Sequence, residues 1–277
     1  MSGKGSGFST VFSYYLKNYY RSKSFYLIFI LMLIISALMV YLSIHYLPDI
    51  KNIIPLGTNI KPEEKERILL YIWAYVLSNI PVFAAVFFSS PAISSEIESK
   101  TAFQIFTLPI DRSILLLGKY TAAVAASIIS MIPYIVAEIG TASYIFGFLV
   151  STPFLISTGM VLTFIASVSA FSFLISSLFN RNLYAYITTF IIYFIVFSSL
   201  NLVLELLYNY NAFFLLDNAA SIISRSFIDI SPGVFTSKFS LNGASYSEVM
   251  TSLLVMVLYA VVSIILSLLI FEKKEVK

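Results

Sequence analysis

The sequence predicts an all-α protein that crosses a membrane six times. Its 277 residues are 59% hydrophobic and only 11% charged, with a mean hydropathy of +0.91. Soluble domains are roughly 45–50% apolar and about 25% charged. The apolar residues also fall into runs that supply six helices of about 20 residues, the length needed to cross the hydrocarbon core of a bilayer.

The six predicted spans and the segments between them follow from these runs. Pro81 predicts a kink in the second span. Residues 138–153 predict either an outer turn or an extension of the third helix, and 208–248 predict an outer cap of short helices, because apolar patches alternate there with turn signals. The spans are predicted at 25–47, 68–90, 114–137, 154–178, 183–207 and 249–271.

The N-terminal segment is basic and aromatic. Residues 1–7 are rich in Gly and Ser and are predicted to be disordered. Over 8–24, apolar residues recur at helical spacing beside Lys17 and Arg21. This pattern is typical of a helix in the membrane interface with its cations toward anionic headgroups. The alternative is a simple extension of the first span.

Lys and Arg are distributed unevenly between the two sides that six spans define. Eleven of the 17 lie on the side that carries both termini, segment 93–119 and the turn at Arg181. Because positive residues are retained in the cytoplasm, we expect both termini to be cytoplasmic in a multi-pass protein of the cell membrane.

Several classes of site are excluded by composition. Cysteine is absent and His45 is the only histidine, so a disulfide framework, a cysteine nucleophile and a multi-histidine metal cluster are excluded. The Gly-Lys steps at Gly3 and Gly118 lack the upstream glycine and the following Ser/Thr of a phosphate-binding G-x-x-x-x-G-K-[ST] loop. We therefore predict no ATPase site, cofactor or metal in this chain.

Segment 93–119 is the amphipathic, charged interval between the second and third spans. Ser95-x-x-Glu98 is typical of a capping box, and Pro109 is expected to end the helix that it starts, which we place at 93–110. Asp111 or Ser113 then caps the third span. The charged side chains of Glu96, Glu98 and Lys100 are expected to point away from the apolar face.

This segment resembles the region after the second span in permeases of the ABC-2 type, the membrane subunits of one class of ABC exporters. The six-span topology is also similar to that family. Ser95 and Lys100 replace the usual glycines, and Phe103 replaces a common Glu. The positions in register with the family pattern are Ile93, Ser94, Glu96, Glu98, Thr101, Pro109, Arg112, Leu116, Leu117, Gly118 and Lys119.

The resemblance implies that helix 93–110 is a coupling helix that fits a cleft on a separate nucleotide-binding subunit. That subunit would bind ATP and Mg. The other expected partners are a second permease copy and membrane lipid, and no nucleic acid is expected. Export as the direction of transport rests on the resemblance alone. The residues expected to couple are Ser95, Glu96, Glu98, Thr101, Phe106, Pro109 and Arg112.

Glu138 and Glu205 are the two acids in or near spans, and intramembrane acids are functional candidates. They could line a substrate path, pair with each other, or simply lie at the outer interface in reach of water. An ATP-independent carrier or an intramembrane enzyme is the alternative function, but the spans carry few of the charged residues that either would need. The serines of the fourth span predict close helix packing; they are Ser167, Ser169, Ser172, Ser176 and Ser177.

Overall fold

The computed structural model describes residues 3–46, 62–100, 111–147, 151–208, 210–227 and 243–273, and all regular structure in these ranges is helical. The helices are α1 (Gly3–Arg21), α2 (Lys23–Tyr46), α3 (Pro62–Leu77), α4 (Ile80–Ser89), α5 (Pro91–Glu98), α6 (Arg112–Phe146), α7 (Thr152–Leu178), α8 (Asn182–Phe190), a π-helix (Ile191–Phe197), α9 (Ser198–Tyr208), α10 (Leu216–Arg225) and α11 (Tyr246–Lys273).

Within these ranges, six stretches are long and apolar enough to cross a membrane, which confirms the predicted fold class. Their bounds lie within a few residues of the predicted spans, except that the second and third are longer. They are Lys23–Tyr46, Lys65–Glu98, Arg112–Phe146, Thr152–Leu178, Asn182–Tyr208 and Tyr246–Lys273.

The N-terminal helix is separate from the first span. It already begins at Gly3, so the expected disorder of 1–7 is wrong for residues 3–7; extending an existing helix adds one hydrogen bond for each residue fixed. The chain bends at Ser22, and α2 starts at Lys23. α1 packs along α6, which favours a distinct helix over an extension of the first span.

Prolines restart the helix twice in the second span. α3 ends at Leu77, and α4 begins at Ile80 with Pro81 in its first turn. Pro91 then opens α5 directly after α4. Proline cannot donate a backbone hydrogen bond, which suits the first turn of a helix. The helix is therefore interrupted just before Pro81, where the sequence predicts a kink, and a short final helix continues the span.

The third span runs unbroken from Arg112 to Phe146, with Pro133 inside it. Residues 138–146 therefore extend the third helix rather than forming an outer turn. The helix stops at Gly147, whose φ of 66° is left-handed. Glycine adopts this conformation without steric cost and commonly ends helices in this way.

The core lies between α4, α6 and α7. α7 is the most buried span, and it packs closely on α11 and α4. The serines of α7 bond across helices as expected from close packing: Ser167 Oγ donates to the Met256 carbonyl at 2.7 Å, and Ser172 Oγ lies 2.8 Å from Ser90 Oγ. The fifth span, which contains the π-helix, is the least buried.

The described part of the outer segment contains one short helix, α10. It packs against α3, α7 and α11, and Ser157 Oγ of α7 donates to its Ile223 carbonyl at 2.8 Å. Residues 228–242 of the predicted cap lie outside the described residues.

Candidate functional site

The short helix α5 lies at the end of the molecule where α6 begins and α7 ends. Four other helices contact it through polar side chains or backbone: α1, α6, α7 and α8. It occupies the predicted coupling position between the second and third spans. The geometry of these contacts decides what α5 can do.

Lys119 of α6 and Glu96 of α5 form a buried ion pair. Their side chains are only 2% and 13% exposed. Lys119 Nζ also donates to the Ala92 carbonyl at 3.1 Å. A buried charge is costly unless it is paired and hydrogen-bonded. The pair therefore keeps α5 against α6, since moving either helix would leave a charge without its partner.

Tyr15 connects this pair to the N-terminal helix. Its Oη donates to Glu96 Oε1 at 2.8 Å, and its ring centroid lies 4.9 Å from Lys119 Nζ, within cation–π range. Burial and the neighbouring Glu96 carboxylate raise the pKa of Tyr15 above its ordinary value. Tyr15 therefore stays protonated at neutral pH and remains a hydrogen-bond donor.

Ser176 of α7 satisfies the first turn of α5 from the opposite side. Its Oγ accepts from the backbone N–H groups of Ile93 and Ser94, at 3.2 and 3.1 Å, and donates to the Ser90 carbonyl at 2.6 Å. The first N–H groups of a helix have no partner within it. One hydroxyl uses its donor and two acceptor sites here, so α7 caps α5.

Glu98, the last residue of α5, accepts from the backbone N–H of Asn182 at 2.9 Å. Asn182 is the first residue of α8, and a carboxylate at a helix N-terminus satisfies an unpaired donor and suits the helix dipole. Ser94 Oγ also lies 3.2 Å from Asn182 Oδ1. α5 is thus tied to the start of the fifth span.

The predicted start and end of the coupling helix are wrong. α5 begins at Pro91 because it continues from α4, so Ser95 lies inside the helix and its Oγ donates to the Pro91 carbonyl instead of forming a capping box. The helix ends at Glu98, and Lys100 has a left-handed φ of 58°. It therefore does not extend through 110 as one helix. Thr101, Phe106 and Pro109 lie outside the described residues.

The start of α6 contacts the end of α11. Asp111 occupies the N-cap position, although its side chain makes no capping hydrogen bond. Arg112 Nη1 donates to the Glu272 carbonyl at 2.9 Å. Arg112 therefore lies near the same end of the molecule as α5 and connects α6 to the sixth span.

Comparison with protein families identifies the family of the chain. The sequence model described as "ABC-2 family transporter protein" matches residues 47–269. The chain belongs to the ABC-2 transporter family. A search of curated proteins found no match.

This ABC-2 protein does not bring its two intramembrane acids together. Glu138 is 2% exposed on α6, whereas Glu205 on α9 is exposed. Among the described residues no hydrogen bond or ion pair joins them, which disfavours the alternative that they pair with each other. Burial of Glu138 also contradicts a shared location at a water-exposed interface, since the packing of α6 in the core encloses it.

Three residues that contact α5 are absent from the predicted coupling set: Tyr15, Lys119 and Ser176. Glu96 was expected to point away from the packed face, but it points to Lys119 and Tyr15. One signal was present: Lys119 is one of two charged residues in a long apolar zone, and a buried lysine requires an anionic partner. Which acid supplies that partner depends on helix packing, which the sequence pattern does not specify.

Proposed function

We propose that this chain is the permease subunit of an ATP-driven exporter and that α5 couples it to a separate nucleotide-binding subunit. One observation carries the proposal: α5 is bonded to α1, α6 and α7 through buried or partly buried polar groups and to the start of α8 through Glu98. Glu98 and the two residues that follow α5, Ser99 and Lys100, are exposed. A force applied at that exposed end would reach α1, α6, α7 and α8 together.

The partner subunit supplies ATP and Mg in this proposal, because the chain has no phosphate-binding loop. Closure of the partner on ATP would displace α5, and α5 would move the four helices bonded to it. Two copies of the permease would enclose the path, since the least buried spans of a single copy leave broad apolar faces. Surrounding lipid would cover the apolar faces that the second copy leaves exposed.

The charge distribution supports a cytoplasmic location for the α5 end. Lys100, Arg112, Arg181 and Lys273 all lie at this end of the helices. Cationic segments are retained in the cytoplasm, where ATP is available. We therefore propose that both termini are cytoplasmic and that the chain lies in the cell membrane.

The test is co-purification followed by an ATPase assay. The tagged chain, expressed with its neighbouring genes, should retain a Walker-A protein, and ATP hydrolysis by the complex should change in Glu96→Gln while the two proteins stay together. Absence of any ATP-hydrolysing partner, with transport that persists when ATP is depleted, would contradict the proposal.

A second candidate, an ATP-independent carrier, is favoured by Glu138 alone, since an acid buried in a span can bind a proton or cation. The same assay separates the two. Transport that is abolished by Glu138→Gln and insensitive to ATP depletion would favour the carrier.

A further inference from the structure

The bend between α1 and α2 encloses a cavity that lies apart from the coupling site. Ser22 forms the bend: its Oγ donates to the Tyr19 carbonyl at 2.7 Å and accepts from the Phe25 N–H at 3.1 Å. A cavity of about 480 Å³ opens between α1, α2 and α6 at this point. Its volume is within the range of small-molecule sites.

The cavity has an apolar floor and a cationic rim. Leu16, Phe25 and residues of α6 form the floor, and Lys17 and Arg21 belong to the lining. None of its lining residues is acidic. Within the described ranges, neither Lys17 nor Arg21 has an ion pair or a side-chain hydrogen bond, and both are exposed. Two adjacent cations without an anionic partner lie beside an apolar surface. This combination suits a ligand that has both an anionic group and an apolar chain.

The cavity lies where the first span enters the membrane. Its floor includes Ala126, which is seven residues beyond Lys119 and therefore about 10 Å further along α6. Uncharged residues continue from Phe25 to the end of α2. Tyr20 and Tyr26 flank the site, and tyrosines of this kind concentrate at the headgroup level of a bilayer.

We propose that this cavity binds one anionic phospholipid, with its phosphate on Lys17 and Arg21 and an acyl chain against Phe25, Ala126 and Ile129. The apolar floor selects a lipid over free phosphate, because phosphate alone would leave that surface exposed to water. The bound lipid bridges α1 and the first span, which contact each other over only a small area.

The test measures lipid retention by native mass spectrometry of the full chain, released from bilayer discs that contain equal amounts of phosphatidylglycerol and phosphatidylcholine. The wild type should retain one phosphatidylglycerol. The variant Lys17→Gln/Arg21→Gln should retain it about thirtyfold less, because each of the two cations near an anionic headgroup strengthens binding about fivefold. The matched control Lys23→Gln/Lys100→Gln removes the same charge outside the cavity and should retain the lipid.

Three results would overturn the proposal. Equal retention in the wild type and the cavity variant would show that the two cations do not hold the lipid. An equal loss of lipid in the control variant would show that the net charge of the chain, rather than the two cavity cations, determines retention. Displacement of the lipid by millimolar inorganic phosphate would show that the site recognises the phosphate group without the acyl chain. Ile129→Trp, which reduces the cavity and leaves the charges, should also lower retention.

Discussion

Lys119 and Glu96 form a buried ion pair between α6 and α5, and Tyr15 of α1 donates to the same carboxylate. Three helices from separate parts of the chain therefore meet at one charge pair. Such a pair is weak support for stability, but separating the two helices would leave a buried charge without its partner. We expect it to fix the position of α5 relative to the bundle.

Lys119→Met should destabilise the protein by about 3–5 kcal/mol, because it leaves the Glu96 carboxylate buried without its cation. Adding Glu96→Gln should recover part of this loss, since the uncompensated charge is then removed. The measurement is equilibrium unfolding in detergent for both single variants and the double variant. Lys23→Met, an exposed lysine at the start of α2, serves as the control. If the changes in unfolding free energy of the two single variants simply add in the double variant, Lys119 and Glu96 do not interact directly.

Tyr15→Phe should lower the free energy of unfolding by about 1–3 kcal/mol, because it removes a hydrogen bond to a charged group and keeps the ring. Tyr14→Phe is the matched control, since Tyr14 is exposed on the same helix. The folded-state pKa of Tyr15 is raised, so its contribution is complete below the ordinary tyrosine pKa of about 10 and is lost only as pH rises through the folded value. A difference between the wild type and Tyr15→Phe that changes between pH 6 and 9 would contradict this assignment.

Gly118→Ala should destabilise the protein through a contact between α6 and α1. A Cβ at Gly118 would lie 2.6 Å from Val11 Cγ1 and 3.4 Å from the backbone nitrogen of Phe12. In the same helix, Gly140→Ala meets nothing within 4 Å and should stabilise by up to about 1 kcal/mol through helix propensity. Thermal unfolding should place the two variants on opposite sides of the wild type. Val11→Ala should restore much of the loss in Gly118→Ala; failure to do so would remove the steric explanation.

Ser176→Ala should lower the free energy of unfolding by about 1–3 kcal/mol, because two backbone N–H groups of α5 lose their acceptor. Ser169 is also buried on α7, but its Oγ has no hydrogen-bond partner among the described residues. Ser169→Ala should therefore be neutral or slightly stabilising. Equal destabilisation of both variants, measured by unfolding in the same detergent, would mean that serine volume rather than capping matters.

The number and approximate position of the spans could be predicted from the sequence, because a helix must present about 20 apolar residues to lipid. Packing through the serines of α7 could also be predicted, since small residues let helix backbones approach each other. These features depend on local composition. Each can be recognised without knowing which helices are neighbours.

The contacts of α5 could not be predicted in the same way. The capping-box pattern at Ser95 has the right spacing, but Pro91 starts the helix earlier and places Ser95 in its interior. Lys119 and Glu96 are separated by a long stretch of chain, and the partner of a buried charge is set by tertiary packing. Ser176, which caps α5, lies on another span altogether.

Site-directed cross-linking at the end of α5 tests the central claim most directly. The chain has no cysteine, so Ser99→Cys can carry a single photoreactive label at an exposed position. In native membranes we predict a cross-link from residue 99 to an ATP-binding subunit, and none from a label at Tyr246→Cys, which is exposed at the opposite end of the bundle. Cross-linking of an ATP-binding subunit from residue 246 but not from residue 99 would contradict the account.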